Sequence, residues 1–259
     1  MEIDKIKKQF GNEASNYTKF RLPYSKELYT LLFSLIHQKN GKVLDIACGT
    51  GKSTEPLLES GLGLEVYGCD HDELMIKEAQ KQAELKKLAI QYAVADAAQL
   101  PFEDETFDVI TVGTAFHFFA DEMAMKEIKR VLKPGGLFFT FWTLTTKDTP
   151  EEDGIPGSIF QSRGWIKIPS ELRDLQHVSA FLTKEGLDSV STASIPFTYN
   201  TTVEERVGLQ TTSGTYELLS AEEKKKFLNE VEEALTKNLG SRTHFTLEEE
   251  LQACYGFKV

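Results

Sequence analysis

The sequence predicts a doubly wound α/β fold with a mostly parallel sheet and helices on both faces, and two observations carry that prediction. Short apolar runs alternate with segments of helical periodicity along roughly the first half of the 259 residues. Three of those runs end in an aspartate: Asp45, Asp70 and Asp96. One acid at a strand end is easily explained as a cap or a turn. Three in succession place carboxylates along the edge where an open parallel sheet holds its ligand.

The first run, Val43-Leu44-Asp45-Ile46, breaks into Ala47-Cys48-Gly49-Thr50-Gly51, and a helical pattern follows in Ser53–Leu58. Glycines let a ligand approach the backbone closely, and a helix start offers free N–H groups. Dinucleotides, nucleoside triphosphates and S-adenosylmethionine all use such a turn. Gly51-Lys52-Ser53 suggests a phosphate loop, but that motif needs a glycine where Ile46 stands. Asp108 also begins its apolar run, whereas a magnesium-holding acid should end one. The dinucleotide fingerprint fails at Thr54, which occupies its third glycine position.

What remains, Asp-Ile-Ala-Cys-Gly-Thr-Gly, resembles motif I of the class I S-adenosylmethionine-dependent methyltransferases, with Ala47 in place of the frequent first glycine. The resemblance implies a Rossmann-like sheet of seven strands, one of them reversed, and S-adenosyl-L-methionine as cofactor. It implies that Ala47, Cys48, Gly49, Thr50 and Gly51 pass beside the methionine moiety. Asp45 would help to set the turn and the ligand's amino group.

Leu62–Asp70 reads as a second strand. Asp70 lies 21 residues after Gly49, close to the about 20 expected of a carboxylate that accepts from ribose hydroxyls. The alternative is an N-cap for the helix that follows. His71 and Met75 then flank the adenine position, or fill the seam between helix and sheet. A third strand ends at Asp96, where the family's acid accepts from the adenine amino group and Ala97 leaves room for the ring; a turn-capping role is the alternative. The fourth strand leaves through Gly113, Thr114 and Ala115, close to where the family presents the methyl group. Ala115-Phe116-His117-Phe118-Phe119 looks like the family's Ala-x-His-Trp-Phe signature, with Phe118 for Trp. Leu132-Lys-Pro-Gly-Gly-Leu137 is a further, structural, point of likeness, between a helix over Asp121–Leu132 and a buried fifth strand, Leu137–Trp142.

Before the glycine turn, Phe10, Ala14, Tyr17, Arg21, Pro23 and Tyr24 form a pattern similar to the N-termini of methyltransferases related to trans-aconitate methyltransferase. There the arm folds over the cofactor, so Tyr17 and Arg21 would approach the methionine carboxylate, or else pack the arm. Pro23 is expected to open a helix whose apolar face is Leu28, Leu31, Leu32, Leu35 and Ile36, stopped by Asn40-Gly41.

The expected organisation is an arm and cofactor core over 1–142, a cap insertion over 143–186, and strands and helices completing the same domain over 187–259. Thr146–Gly157 reads as a polar loop and Ser170–Leu182 as a helix; Arg163 and Trp165 are candidate contacts, though a lone Arg and Trp in a loop more often serve packing or solubility. Thr211, Thr212, Ser213 and Tyr216, within Val203–Leu219, are expected to be solvent-facing helix hydroxyls, the alternative being that they turn toward the pocket. Ala221–Leu239 is an amphipathic helix, and 243–258 should add a last strand.

A net charge of −11 argues against a phosphate-backbone partner, and no basic face emerges. Cys48, Cys69 and Cys254 are isolated, without metal spacing, so no zinc site is expected and a reducing compartment is. No apolar run reaches the ~18 residues of a membrane span, and Met1–Lys5 carries charge from the start. Cytoplasm is the default, with no membrane and no obligate protein partner expected.

The expected reaction is SN2 transfer of the sulfonium methyl to a small-molecule acceptor, a carboxylate or a hydroxyl. Alignment and exclusion of water dominate such chemistry. A carboxylate needs no base; a hydroxyl would, and His117 is the first candidate, a pocket-lining residue otherwise. The alternatives are a protein or RNA methyltransferase and a catalytically inactive, S-adenosyl-binding regulatory protein.

Overall fold

The computed structural model describes residues 14–147, 158–159 and 174–259. Phe10, Arg163, Trp165 and most of the loop expected to end at Gly157 lie outside the described residues. The described residues fall into two compact units. A core unit lies within Pro23–Thr143, Ser170–Ile195 and Leu251–Val259, and an arm unit within Met1–Leu22, Leu144–Pro169 and Pro196–Glu250.

The sheet has seven strands: β1 (Lys42–Ile46), β2 (Glu65–Asp70), β3 (Ile90–Val94), β4 (Phe107–Gly113), β5 (Leu132–Lys147), β6 (Leu187–Thr202) and β7 (His244–Lys258). Their order is β3-β2-β1-β4-β5-β7-β6. The pairs β1–β2, β2–β3, β1–β4 and β4–β5 are all parallel. The sheet is the mixed, mostly parallel one that the sequence predicts. Because β1 has β2 on one side and β4 on the other, the order reverses at β1. The turn leaving β1 therefore sits at the topological switch point, where a crevice opens.

Burial explains the strand runs. Val43, Leu44 and Ile46 in β1 and Val109, Ile110 and Val112 in β4 are almost wholly inaccessible, as both-face burial of a parallel sheet demands. Phe138, Phe139 and Phe141 in β5 are likewise buried, each contributing about 1.5–3 kcal/mol of transfer free energy.

Helix α1 (Ala14–Phe20) belongs to the arm unit. Helix α2 starts at Lys26 and ends at Leu35, later and earlier than expected. The side chain of Ser25, not Pro23, caps its first turn by accepting from Leu28 N–H. Its buried face is Leu28, Tyr29, Leu32 and Ile36. Helix α3 (Glu73–Lys86) crosses from β2 to β3 and is capped by Asp72, which accepts from the N–H groups of Leu74 and Met75. Helix α4 (Glu122–Val131), capped by Asp121, buries Ala124, Met125, Ile128 and Val131. Leu132 already pairs with Phe107, and the register shifts before Leu137 pairs with Val109, so Lys133–Gly136 is an irregularity within β5 rather than a linker before it. Helix α5 (Leu175–Lys184) is the described part of the helix expected from Ser170.

In the arm unit, α6 (Val203–Gln210), α7 (Gly214–Glu217) and α8 (Ala221–Leu239) follow β6. Ser220 and Glu223 form a capping box at the start of α8. Phe227, Val231, Leu235 and Leu239, spaced by four, pack with Tyr216, Phe245 and Leu247. Thr211 and Thr212 correct the expectation of solvent-facing hydroxyls. Both are buried, and each donates back to a carbonyl of the last turn of α6, Gly208 and Leu209, at 2.7 Å. Turned onto their own helix end, these buried hydroxyls find acceptors in carbonyls that already take a backbone N–H.

Candidate functional site

Asp45, at the end of β1, is fully buried. One of its oxygens accepts from Ser53 Oγ and Thr54 Oγ1, each at 2.7 Å, and the other from Thr111 Oγ1 at 2.9 Å. Burial raises the carboxyl, the three hydroxyl bonds oppose this, and the result is a pKa pushed up to about 6. Of the two tasks expected of Asp45, the structure places it at the first. It sets the turn, and it has no exposed surface to offer a ligand's amino group.

The turn alternates into the left-handed region: Ala47 has φ 56°, Gly49 54° and Gly51 88°. Position 47 is thus one where a side chain costs about 1–2 kcal/mol relative to glycine. Cys48 N–H bonds to the carbonyl of Cys69, anchoring the turn to β2, and Gly51 N–H closes it onto the carbonyl of Cys48, both at 3.0 Å. Beneath the turn lies Tyr92 of β3. A Cβ on Gly51 would strike its hydroxyl, and one on Gly68 would lie 2.7 Å from its ring edge. Thr50 is buried, and its hydroxyl has no hydrogen-bond partner among the described residues.

The segment after the turn corrects the helical expectation for Ser53–Leu58. It is a 3₁₀ helix, Glu55–Ser60, with Pro56 at its start. The side chains of Ser53 and Thr54 are drawn inward to Asp45, so neither caps an α-helix.

Asp70, at the end of β2, is buried and aims one oxygen at the turn, accepting from Gly49 N–H at 2.9 Å. Its other oxygen accepts from Asp72 N–H at 2.9 Å and lies 3.1 Å from His71 Nδ1. Asp72, not Asp70, is the helix cap, which leaves Asp70 for the turn. His71 is exposed, whereas Met75 is buried.

Asp96 follows β3, exposed, and accepts from Ala98 N–H at 2.8 Å, so it does form a turn. Ala97 is buried. This loop is stapled from behind. Arg130 of α4 donates to both oxygens of Glu127, to the carbonyls of Leu100 and Phe102, and to Asp104. Glu127 in turn accepts from Leu100 N–H at 3.0 Å. Hydrogen bonding to Arg130 holds the Glu127 carboxyl below the usual range. Neither Tyr92 nor Arg130 carries a sequence signal of its own, and both were missed.

At the end of β4, Gly113, Thr114 and Ala115 are half-buried. Thr114 has φ 55°, a strained conformation for a β-branched residue, at about 1–3 kcal/mol. His117 is buried in the short turn Phe116–Phe118, its ring 4.1 Å from that of Phe118. The core unit therefore brings Asp45, the glycine turn, Asp70, Asp96 and Gly113–His117 to the carboxyl ends of β1–β4. Tyr17 and Arg21 belong to the arm unit, where the Arg21 guanidinium lies 5.7 Å from the Tyr17 ring.

Residues 44–140 match the methyltransferase domain family. A demethylmenaquinone methyltransferase of Staphylococcus carnosus (strain TM300) is 36% identical over 144 residues, 52% of this chain and 59% of that protein. The chain thus spans little more than half the length of that relative. Among solved structures, a protein of Anaeromyxobacter dehalogenans provisionally assigned as a type II methyltransferase superposes with a TM-score of 0.68 at 21% identity, covering 92% of this chain and 97% of its own. A phosphoethanolamine N-methyltransferase 2 of Haemonchus contortus, in complex with phosphomonomethylethanolamine and S-adenosylhomocysteine, gives 0.58 at 19% identity, covering 96% of this chain and 57% of its own. These two likenesses show the fold. Residues 44–140 thus match a methyltransferase domain, set within a fold that those two structures share.

Proposed function

We propose that the core unit binds S-adenosyl-L-methionine and that the protein transfers its methyl group to a small organic acceptor. The observation that carries this reading is the bond from Asp70 to Gly49 N–H, which sets a strand-end carboxylate against a turn of left-handed residues at the switch point. The buried Thr50 hydroxyl, without a partner among the described residues, adds a polar group suited to an amino-acid moiety.

In this reading the backbone of Gly49–Gly51 receives the methionine end, and Asp70 accepts from the ribose hydroxyls. Asp96 and Ala97 address the adenine, while Gly113–Ala115 lie beside the methyl. S-adenosyl-L-methionine supplies an already activated methyl, so the residues mainly orient both partners and exclude water. His117, buried beside Phe118, faces the acceptor. The relative named as a demethylmenaquinone methyltransferase makes a quinone-type ring the first acceptor class to test, and the His117–Phe118 pair offers it aromatic surroundings. Small carboxylates and phenols come next.

A thermal-shift titration with S-adenosylmethionine, S-adenosylhomocysteine, NAD and ATP tests the cofactor. Ligand at ~100 times its dissociation constant stabilises by about 2.7 kcal/mol. Stabilisation by the S-adenosyl ligands alone, lost in Asp70→Ala, is the expected outcome. Stabilisation by NAD or ATP instead would overturn the reading.

A further inference from the structure

We propose that Tyr24 is a positioning residue for the S-adenosyl site, holding Thr114 in its left-handed conformation and so fixing the backbone at Gly113–Ala115. The proposal rests on the cofactor reading above.

A β-branched residue at φ 55° keeps that conformation only where its surroundings impose it. Three contacts do so here. Thr114 N–H bonds to the carbonyl of Phe141 at 2.6 Å. The hydroxyls of Tyr24 and Thr114 lie 2.9 Å apart, joined by a hydrogen bond across 90 residues of sequence. The Tyr24 ring meets that of Phe141 edge-on, centroids 4.8 Å apart and planes at 88°. Both rings close over Gly113, where an added Cβ would lie 2.8 Å from Phe141 and 3.2 Å from the Tyr24 hydroxyl. Tyr24 is itself fixed, because the next residue, Ser25, caps α2.

The strain at Thr114 is otherwise unexplained. The β4–β5 register ends at Gly113 and Phe141, so beyond it the sheet holds Thr114 by its N–H alone and leaves the side chain to Tyr24. Without Tyr24, rotation toward a relaxed φ would swing the carbonyl of Gly113 and the N–H of Ala115 away from the ligand edge of the sheet. A threonine needs the clamp; a glycine at 114 would not, because it adopts positive φ without penalty.

The test is the affinity for S-adenosylhomocysteine, by calorimetry, of the wild type, Tyr24→Phe, Thr114→Gly and the double variant. Ligand-free melting curves verify that each is folded. Tyr24→Phe should weaken binding about five- to tenfold, as loss of one hydrogen bond does. The double variant should bind no worse than Thr114→Gly alone, because the clamp has nothing left to hold. A purely structural tyrosine would lower both backgrounds alike. Thr114→Val, which removes the hydroxyl and keeps the shape, carries the test should Tyr24→Phe fail to fold, and should show the same loss. Unchanged affinity in Tyr24→Phe or Thr114→Val, or a double variant weaker than Thr114→Gly, overturns the proposal. A wild type that does not bind S-adenosylhomocysteine overturns the cofactor reading itself, before any substitution is compared.

Discussion

Thr111 and Asp45 face each other across the β4–β1 pair, and the threonine hydroxyl donates to the buried carboxylate at 2.9 Å. With Ser53 and Thr54 on its other oxygen, Asp45 joins two strands and the end of the glycine turn. The sequence resemblance gives this acid two tasks, the turn and a ligand's amino group; in the fold it is the pin behind the glycine turn.

Its titration is visible in stability. Burial lifts the folded-state pKa to about 6, above an unfolded value near 3.9. The folded state therefore binds the proton more tightly. The stabilisation from this group is complete below about pH 4 and is lost as pH rises through about 6, in all about 3 kcal/mol. Denaturant unfolding of the wild type and Asp45→Asn at pH 4, 5, 6 and 7.5 checks it. The wild type should lose ground to the variant as pH rises, and a constant difference would refute the assignment.

Ala47→Gly should stabilise the protein. The φ of 56° strains alanine, and glycine relieves it at the cost of greater freedom in the unfolded chain. A net gain of about 0.5–1 kcal/mol is expected, read as an increase in the denaturant midpoint at unchanged slope.

Gly68→Ala should cost about 1–3 kcal/mol, because the new methyl meets the Tyr92 ring edge at 2.7 Å and Cys48 Sγ at 3.1 Å. Combining it with Tyr92→Leu, which withdraws the ring, should recover part of the loss. Strict additivity of the two in a double-mutant cycle would mean that Tyr92 does not support the turn.

Arg130→Met removes five hydrogen bonds, three to the loop after Asp96 and two to Glu127, which itself holds Leu100. Stability should fall by about 1.5–3 kcal/mol, the range for a charged hydrogen-bonding group. Amide exchange should quicken at Leu100, whose N–H is held by Glu127.

His117→Ala, assayed with an accepted methyl acceptor from pH 6 to 9, separates lining from base. A pocket-lining residue raises KM and leaves the pH profile of kcat intact; loss of an ionisation from that profile marks a base.

The sequence by itself determined the parallel sheet, the positions of β1 to β4 and the acids at their ends. Those features are local: apolar runs of strand length, small residues where φ must be positive, and aspartates where strands stop. Helix α8 was legible to its ends for the same reason, since its caps and its four-residue spacing lie within one segment. Only the tertiary structure decided what each polar group faces. Asp45 and Asp70 look alike in sequence, yet one meets three hydroxyls from elsewhere in the chain and the other meets the turn. Thr211 and Thr212 read as exposed helix hydroxyls and are buried against their own helix end. Tyr92 and Arg130 were invisible as site residues, and Tyr24 was legible only as part of the arm pattern, because each acts on residues distant in sequence. Periodicity records which side of an element is buried, whereas a hydrogen bond across 90 residues exists only once the sheet has brought its two ends together.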